Sequence, residues 1–234
     1  MADELASVLL KRYHSLETQR QTWESHWQEV ADYVVPRKAD VTKNRSPGDK
    51  RSELVFDGTA IHAAELLAAS LHGMLTNGST SWFSLRYTDP ELNGDDEAME
   101  WLQGVEDVMY QAFNRSNFQE QIHELYQDLV TFGTAVMFVD ADEEQQVRFS
   151  TRHIKECFLS EDEKGRVDTV FRKFKMPARA AMRRFGEEKF NSKILKRASE
   201  NPYDEITLVH AVFERDERDV TKITAENKPF ASIY

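Results

Sequence analysis

The chain has 234 residues, 40% of them hydrophobic and 30% charged, which is enough for one large or two small domains with a core. It contains no run of about eighteen apolar residues and opens Met1-Ala2-Asp3-Glu4, without the basic start and apolar stretch of a secretory leader, so no membrane partner is expected and the protein is expected to stay inside the cell that makes it. The net charge of -11 is the wrong sign for a broad grip on nucleic acid; it serves either solubility or a surface past which a polyanion slides without sticking.

In chain order, Leu5, Leu9, Tyr13, Leu16, Arg20, Trp23, Trp27, Val30 and Val34 step by threes and fours, which predicts a single helix roughly 45 Å long, stopped by Pro36. So narrow an apolar stripe lies along a neighbour, either elsewhere in the fold or in another subunit. Residues 37–51 form a basic loop holding Arg37, Lys38, Lys43, Arg45, Lys50 and Arg51 against Asp40 and Asp49, with Pro47-Gly48 as turn formers. These six residues are candidates for a subunit or phosphate contact, and a plain solvated loop is the alternative. Nothing here is a P-loop, because Gly48 is followed by Asp49-Lys50-Arg51-Ser52. From Asp57 or Thr59 to Leu75 the sequence is alanine-rich and apolar nearly all round, which predicts a central helix buried on most sides. Asn77-Gly78 marks a loop, Trp82 to Tyr87 alternates as a strand, and Pro90 to Asp96 breaks the pattern. A helix follows with Trp101, Leu102, Val105, Met109, Ala112 and Phe113 on its packed side, ending near Asn114.

The stretch Ser116 to Thr151 organises the rest. Phe118, Ile122, Leu125, Tyr126 and Leu129 share a helical face, Asn117 with Glu120 makes a partial capping box, and Gly133 sits where a left-handed residue would end the helix. These apolar residues and Gly133 are the expected core of the unit, and Leu129→Asp is expected to cost several kcal/mol. Ala135 to Val139 reads as a buried strand, Asp140 to Glu144 as a turn, and Val147, Phe149 and Thr151 as the returning strand. Beyond it come strands at Cys157 to Ser160 and Val167 to Phe174, a helix from Pro177 at its first position to Phe185, ended by Gly186, a helical piece over Phe190 to Ala198, a strand at Ile206 to Phe213, a charged hairpin, and a strand beginning at Phe230. A chain that stops inside an apolar strand is expected to continue past Tyr234. The fold class is α+β, partitioned as a long helix (1–36), a basic loop (37–58) and an α+β domain (59–234) that is incomplete at its C-terminal end.

A search for chemistry finds no catalytic, cofactor or metal site. The single cysteine, Cys157, excludes an internal disulfide. The histidines at 14, 26, 62, 72, 123, 153 and 210 are scattered, with no third ligand at zinc spacing. Asp140, Asp142 and Glu144 imitate the start of a calcium loop, but Gln145 stands where glycine is required and Thr151 where glutamate is. No nucleophile elbow or dinucleotide fingerprint occurs, and the Asn44, Asn77 and Asn114 sequons are chance matches.

Five phrases in order do carry a resemblance: "WQEVADYVVP" at Trp27 to Pro36, "GMLTNGSTSWFSL" at Gly73 to Leu85, "SNF" at Ser116 to Phe118, "LYQDLVTFGTAVMFV" at Leu125 to Val139 and "EDEKGRVDTVFRKF" at Glu161 to Phe174. Together they resemble the portal proteins, or head-to-tail connectors, of short-tailed podovirus-type bacteriophages across nearly the whole chain. Departures are Asn77-Gly78, where such portals have prolines, and Met176, where they have a hydroxyl residue. The resemblance implies a homo-oligomeric ring, usually of twelve copies, at one capsid vertex of the virion, assembled in the host cytoplasm. The partners it implies are the major capsid protein, the packaging motor (terminase), adaptor and tail proteins, and double-stranded DNA moving through the channel. It also implies that this chain is the N-terminal, outer wing-like part, with stem helices and tail-binding region later than Tyr234, and that it has no catalysis of its own. Loss of all six loop cations is then expected to impair ring assembly more than folding. The rival readings are another virion structural protein, from tail or scaffold, and a DNA-packaging enzyme.

Overall fold

The computed structural model describes residues 2–215 and 217–234. Among them are six α-helices: α1 (Ala2–Val34), α2 (Thr59–Leu75), α3 (Asp96–Arg115), α4 (Phe118–Phe132), α5 (Ala178–Phe185) and α6 (Ser192–Glu200). The strands β1 (Val136–Asp142) and β2 (Gln146–Arg152) form an antiparallel hairpin, and β3 (Cys157–Glu161), β4 (Val167–Pro177), β5 (Glu205–Glu214) and β6 (Phe230–Ile233) form an antiparallel sheet in chain order. The class is α+β. Contacts divide the chain into two compact units, Met1–Thr22 with Glu156–Tyr234, and Trp23–Lys155, so that the division falls inside α1 and after the hairpin.

In the first unit the four-stranded sheet is covered on both faces. Tyr13, Leu9 and Leu16 of α1 pack on Phe158, Phe171, Ala211, Val209 and Phe213, while Ala178, Ala181, Ile194 and Ala198 of α5 and α6 pack with Met176, Ile206 and Leu208. Successive β5 residues point to opposite faces, so a strand packed on both sides reads as a mostly apolar stretch, Ile206 to Phe213, interrupted by Thr207 and His210. α6 is capped by Asn191, whose side chain accepts the Ile194 N–H at 3.0 Å.

In the second unit Trp27, Ala31 and Val35 from the end of α1 meet Ala39, Phe132 and Ile154. A layer of rings stands over the start of α4: Trp82 lies parallel to Phe118 at 5.6 Å, and Phe113 and Phe149 close on it at 4.8 and 5.0 Å. Gly133 ends α4 in the left-handed region at φ 75°, as its position after the periodic residues predicts.

Several expectations are corrected. The segment expected as a strand at Trp82 to Tyr87 is extended but joins no ladder; its alternate N–H groups at Phe83, Leu85 and Tyr87 are taken by Tyr110 Oη, Glu106 Oε2 and Asn93 Oδ1 at 2.7, 2.9 and 2.9 Å. Side chains there do the work of a partner strand. α2 is not buried on most sides: α4 is the element it lies along, Ala68 is its one buried residue, and Leu66, Leu67, Met74 and Leu75 are exposed. An apolar composition marks a helix that needs cover; it does not say that this stretch of chain supplies it. Trp101 is 64% exposed. It sits one residue, about 100° of helix, off the stripe that buries Leu102.

Of the core expected in α4, Phe118 and Tyr126 are buried and Ile122 and Leu125 half-buried, but Leu129 is 43% exposed. The ring layer over the first turn is not continued at its level, and Asp128 and Phe132 are the buried residues of the last turns. Asn117 precedes α4 as expected without capping it by its side chain, which is engaged by Phe149 instead.

Candidate functional site

Five of the six cations singled out at 37–51 converge on four carboxylates of their own unit. Pro36 turns the chain into a short 3-10 turn, Pro36–Lys38, which directs Arg37 and Lys38 at the outer side of α4. Arg37 Nη1 donates to Glu124 Oε1 at 2.7 Å and its other amino group to Gln127. Lys38 Nζ meets Asp128 and, at 3.0 Å, Glu124 Oε2. Lys43 Nζ lies 2.6 Å from Asp32 Oδ2, and Arg45 bonds Asp40 Oδ1 at 2.9 Å with Asp32 Oδ1 at 3.6 Å. Arg51 grips Asp40 Oδ2 through Nε and Nη2 at 2.9 and 2.7 Å. Lys50 is exposed.

Beneath these pairs lies a clamp made by two residues one turn apart on α1. Gln28 is buried; its Nε2 donates to Ala39 O at 2.8 Å and Asp32 Oδ1 at 3.1 Å, and its Oε1 accepts the Thr42 N–H at 2.8 Å. Gln28 thus satisfies backbone groups of a segment that has no regular structure to satisfy them. From the other side Lys155 Nζ donates to Asp40 O at 2.8 Å. His153 accepts the Lys155 N–H on Nδ1 at 3.1 Å, which places its proton on Nε2, 2.9 Å from Lys38 O.

The electrostatics follow from burial set against pairing. Burial alone would raise Asp40, but the bonds from Arg51 and Arg45 hold its carboxyl below the usual carboxylate range, and Arg37 and Lys38 do the same for the half-buried Glu124. Asp128 is deeper: burial pushes its pKa up, and Lys38 draws it only part of the way back. Burial pushes His153 down, keeping it neutral.

This arrangement is a charge-compensated joint. Arg37, Lys38, Lys43, Arg45 and Arg51 are engaged by carboxylates of the same chain, so an incoming phosphate would have to displace them. Sequence reasoning found the cations but missed Gln28, Asp32, Glu124 and Asp128. The i, i+4 spacing of Gln28 with Asp32 and of Glu124 with Asp128 beside apolar stripe positions was the available signal. Beside the joint, Val34, Val35, Pro36, Ile61, Ala64 and Arg37 line an apolar crevice of about 140 Å³. Among the described residues no group of three or more His, Cys, Asp or Glu is placed to hold a metal ion, and no helix is long and apolar enough to cross a membrane.

Compared with known proteins, the sequence matches the family model described as bacteriophage head to tail connecting protein over residues 6–234. The chain belongs to that family. Two curated proteins are similar to this connector chain: the probable portal protein of Bordetella phage BPP-1, 31% identical over 229 residues, and the portal protein of Salmonella phage epsilon15, 28% identical over 236 residues. The matches cover 97% and 100% of the connector chain but 41% and 42% of those proteins, so the chain spans about two fifths of the length of the relatives it matches. The resemblance to phage portals seen in the order of short phrases is therefore a property of essentially the whole connector chain.

Proposed function

We propose that this chain is the wing-like part of a portal subunit, a passive building block of a ring at one capsid vertex of the virion. Twelve copies close the ring; double-stranded DNA passes through it inward during packaging and outward during ejection, and the packaging motor, adaptor and tail proteins and the major capsid protein dock around it. The observation that carries this reading is the family match over residues 6–234. The charge distribution supports it. With most of the loop cations compensated internally, the chain retains its net charge of -11, and twelve copies would carry roughly -130 from this portion alone, which disfavours adhesion of DNA. The chemical step of DNA translocation belongs to a separate motor, and this chain acts without a cofactor. The subunit contact expected of the basic loop enters the proposal in narrower form, through Lys50 and the outer edge of Arg37.

Electron micrographs and native mass spectra of the full-length protein test the reading together. Ring particles with an axial hole and a mass of twelve subunits are expected. A lasting monomer, or metal-dependent DNA cleavage or ATP hydrolysis by the purified protein, would overturn it.

A further inference from the structure

Identical copies closing a ring meet through two different patches, each facing the other on the next copy. In a chain of net charge -11 those patches have to overcome mutual repulsion, so the place to look is where the two signs of charge are segregated.

One such place is the outer face of α3. From Tyr87 to Asn114 there is no Lys or Arg, while Asp89, Glu91, Asp95, Asp96, Glu97, Glu100, Glu106 and Asp107 are all acidic. Glu97, Trp101, Gly104 and Val108 form one exposed stripe, with Glu100 and Asp107 along its side. Trp101 and Val108 are 64% and 62% exposed, and nothing lies within 4 Å of the position a Gly104 side chain would occupy, so the indole borders an open notch. Among the described residues none of Glu97, Glu100 or Asp107 has a cationic partner. An exposed indole edged by unpaired carboxylates suits a guanidinium or ammonium group, held over the ring and by the acids together.

The complementary patch is the α5–α6 pair in the other unit. From Arg179 to Arg197 the chain carries Arg179, Arg183, Arg184, Lys189, Lys193, Lys196 and Arg197 against Glu187 and Glu188. The apolar sides of the two helices are spent on the sheet, which leaves Arg179, Arg183, Lys189 and Lys193 exposed. Arg183, Lys189 and Lys193 have no carboxylate partner among the described residues.

We propose that the outer face of α3 in one copy receives the α5–α6 pair of a second copy, with Trp101 as the apolar anchor and Arg183 and Lys193 opposite Glu97 and Glu100. The proposal rests on the ring reading above and names the contact that closes it. The anchor is needed because exposed ion pairs alone add little.

The test is a charge swap in the full-length protein. One variant carries Glu97→Lys with Glu100→Lys, the other Arg183→Glu with Lys193→Glu. All four positions are exposed, so circular dichroism and monomer melting should match the parent, while each variant alone should lose at least tenfold of the ring fraction seen by native mass spectrometry. Mixed in equal amounts the two variants should recover rings holding equal numbers of each, because every junction then pairs opposite charges. Unimpaired rings from either variant alone would overturn the proposal. So would recovery when all four changes share one chain but not on mixing, since the contact would then lie within a copy. Should a charge variant fail to fold, Trp101→Ala, which adds no charge, should still cut the ring fraction; unchanged rings would again overturn the proposal. Absence of rings from the parent would instead sink the ring reading itself.

Discussion

Asn117 holds Phe149 by both of its backbone groups: Asn117 Nδ2 donates to Phe149 O at 2.8 Å, and Asn117 Oδ1 accepts the Phe149 N–H at 2.9 Å. One turn on, Gln121 Oε1 accepts the Thr151 N–H at 2.7 Å and Gln121 O accepts the Thr151 hydroxyl at 2.6 Å. β2 has β1 on one side and, in this way, side chains at the start of α4 on the other. Replacing Asn117 by Ala leaves two backbone groups beside the buried Phe149 ring without partners, at about 1–3 kcal/mol each if water cannot reach them. Urea denaturation should register a loss of about 2 kcal/mol or more. Asn117→Asp should be no better, since it keeps an acceptor for the N–H but points a carboxylate at the Phe149 carbonyl.

Leu129→Asp separates the helix face read from periodicity from the one that folds. A fully buried leucine would make the change cost several kcal/mol. With nearly half its surface in solvent, Leu129 is expected to cost about 1 kcal/mol, and Phe132→Ala about 3 kcal/mol or more. Comparing the two in thermal melts decides which residues hold the last turns of α4.

Lys38 and Asp128 should behave as a coupled pair. Lys38→Ala strands a carboxylate that is 1% exposed, and breaking a buried pair from one side costs roughly 3–5 kcal/mol. Lys38→Met combined with Asp128→Leu should recover a large part of that loss, which a double-mutant cycle measures. Neutralising all six loop cations is therefore expected to unfold the Trp23–Lys155 unit before any assembly can be assayed. That reverses the order expected when the loop was read as sequence alone.

Stability should fall at both ends of the pH scale through one hydrogen bond. Tyr13 Oη donates to Glu17 Oε1 at 2.5 Å, and Lys173 Nζ lies 3.0 Å from the same oxygen. The Tyr13 bond, with Lys173 beside it, lowers Glu17 from 4.5 to about 2, so its contribution is complete above pH 4.5 and lost as pH falls toward 2. Burial and the same bond raise Tyr13 from 10.0 to about 12, so its contribution is complete below pH 10 and lost as pH climbs toward 12. Glu17→Gln should flatten the acid limb of a stability-versus-pH curve measured by chemical denaturation.

What could be read in advance follows from where the information lies. α1, α4 and Gly133 were legible because period and punctuation are local: apolar residues at threes and fours, Pro36 after the last turn, a glycine where φ must be positive. The recurring Val and Phe of β4 and the mostly apolar stretch of β5 were legible for the same reason. The segment at Trp82 to Tyr87 was misread because alternation reports two faces, not a partner strand, and the partners turned out to be Tyr110, Glu106 and Asn93. At the joint the cations and Asp40 were visible in the loop sequence, whereas the other three carboxylates, Asp32, Glu124 and Asp128, come from α1 and α4, up to 90 residues away, and no local pattern ties Lys38 to Asp128.

The bare side of α2 has a practical consequence at the bench. Leu66, Leu67, Met74 and Leu75 offer hydrocarbon to water along most of that helix, so a preparation of these 234 residues by themselves should light up a dye such as anilinonaphthalene sulfonate while its circular dichroism stays that of folded protein. Sulfate should drive it into clusters and chilling should disperse them, the temperature sense of hydrocarbon association and the opposite of what ion pairing would give.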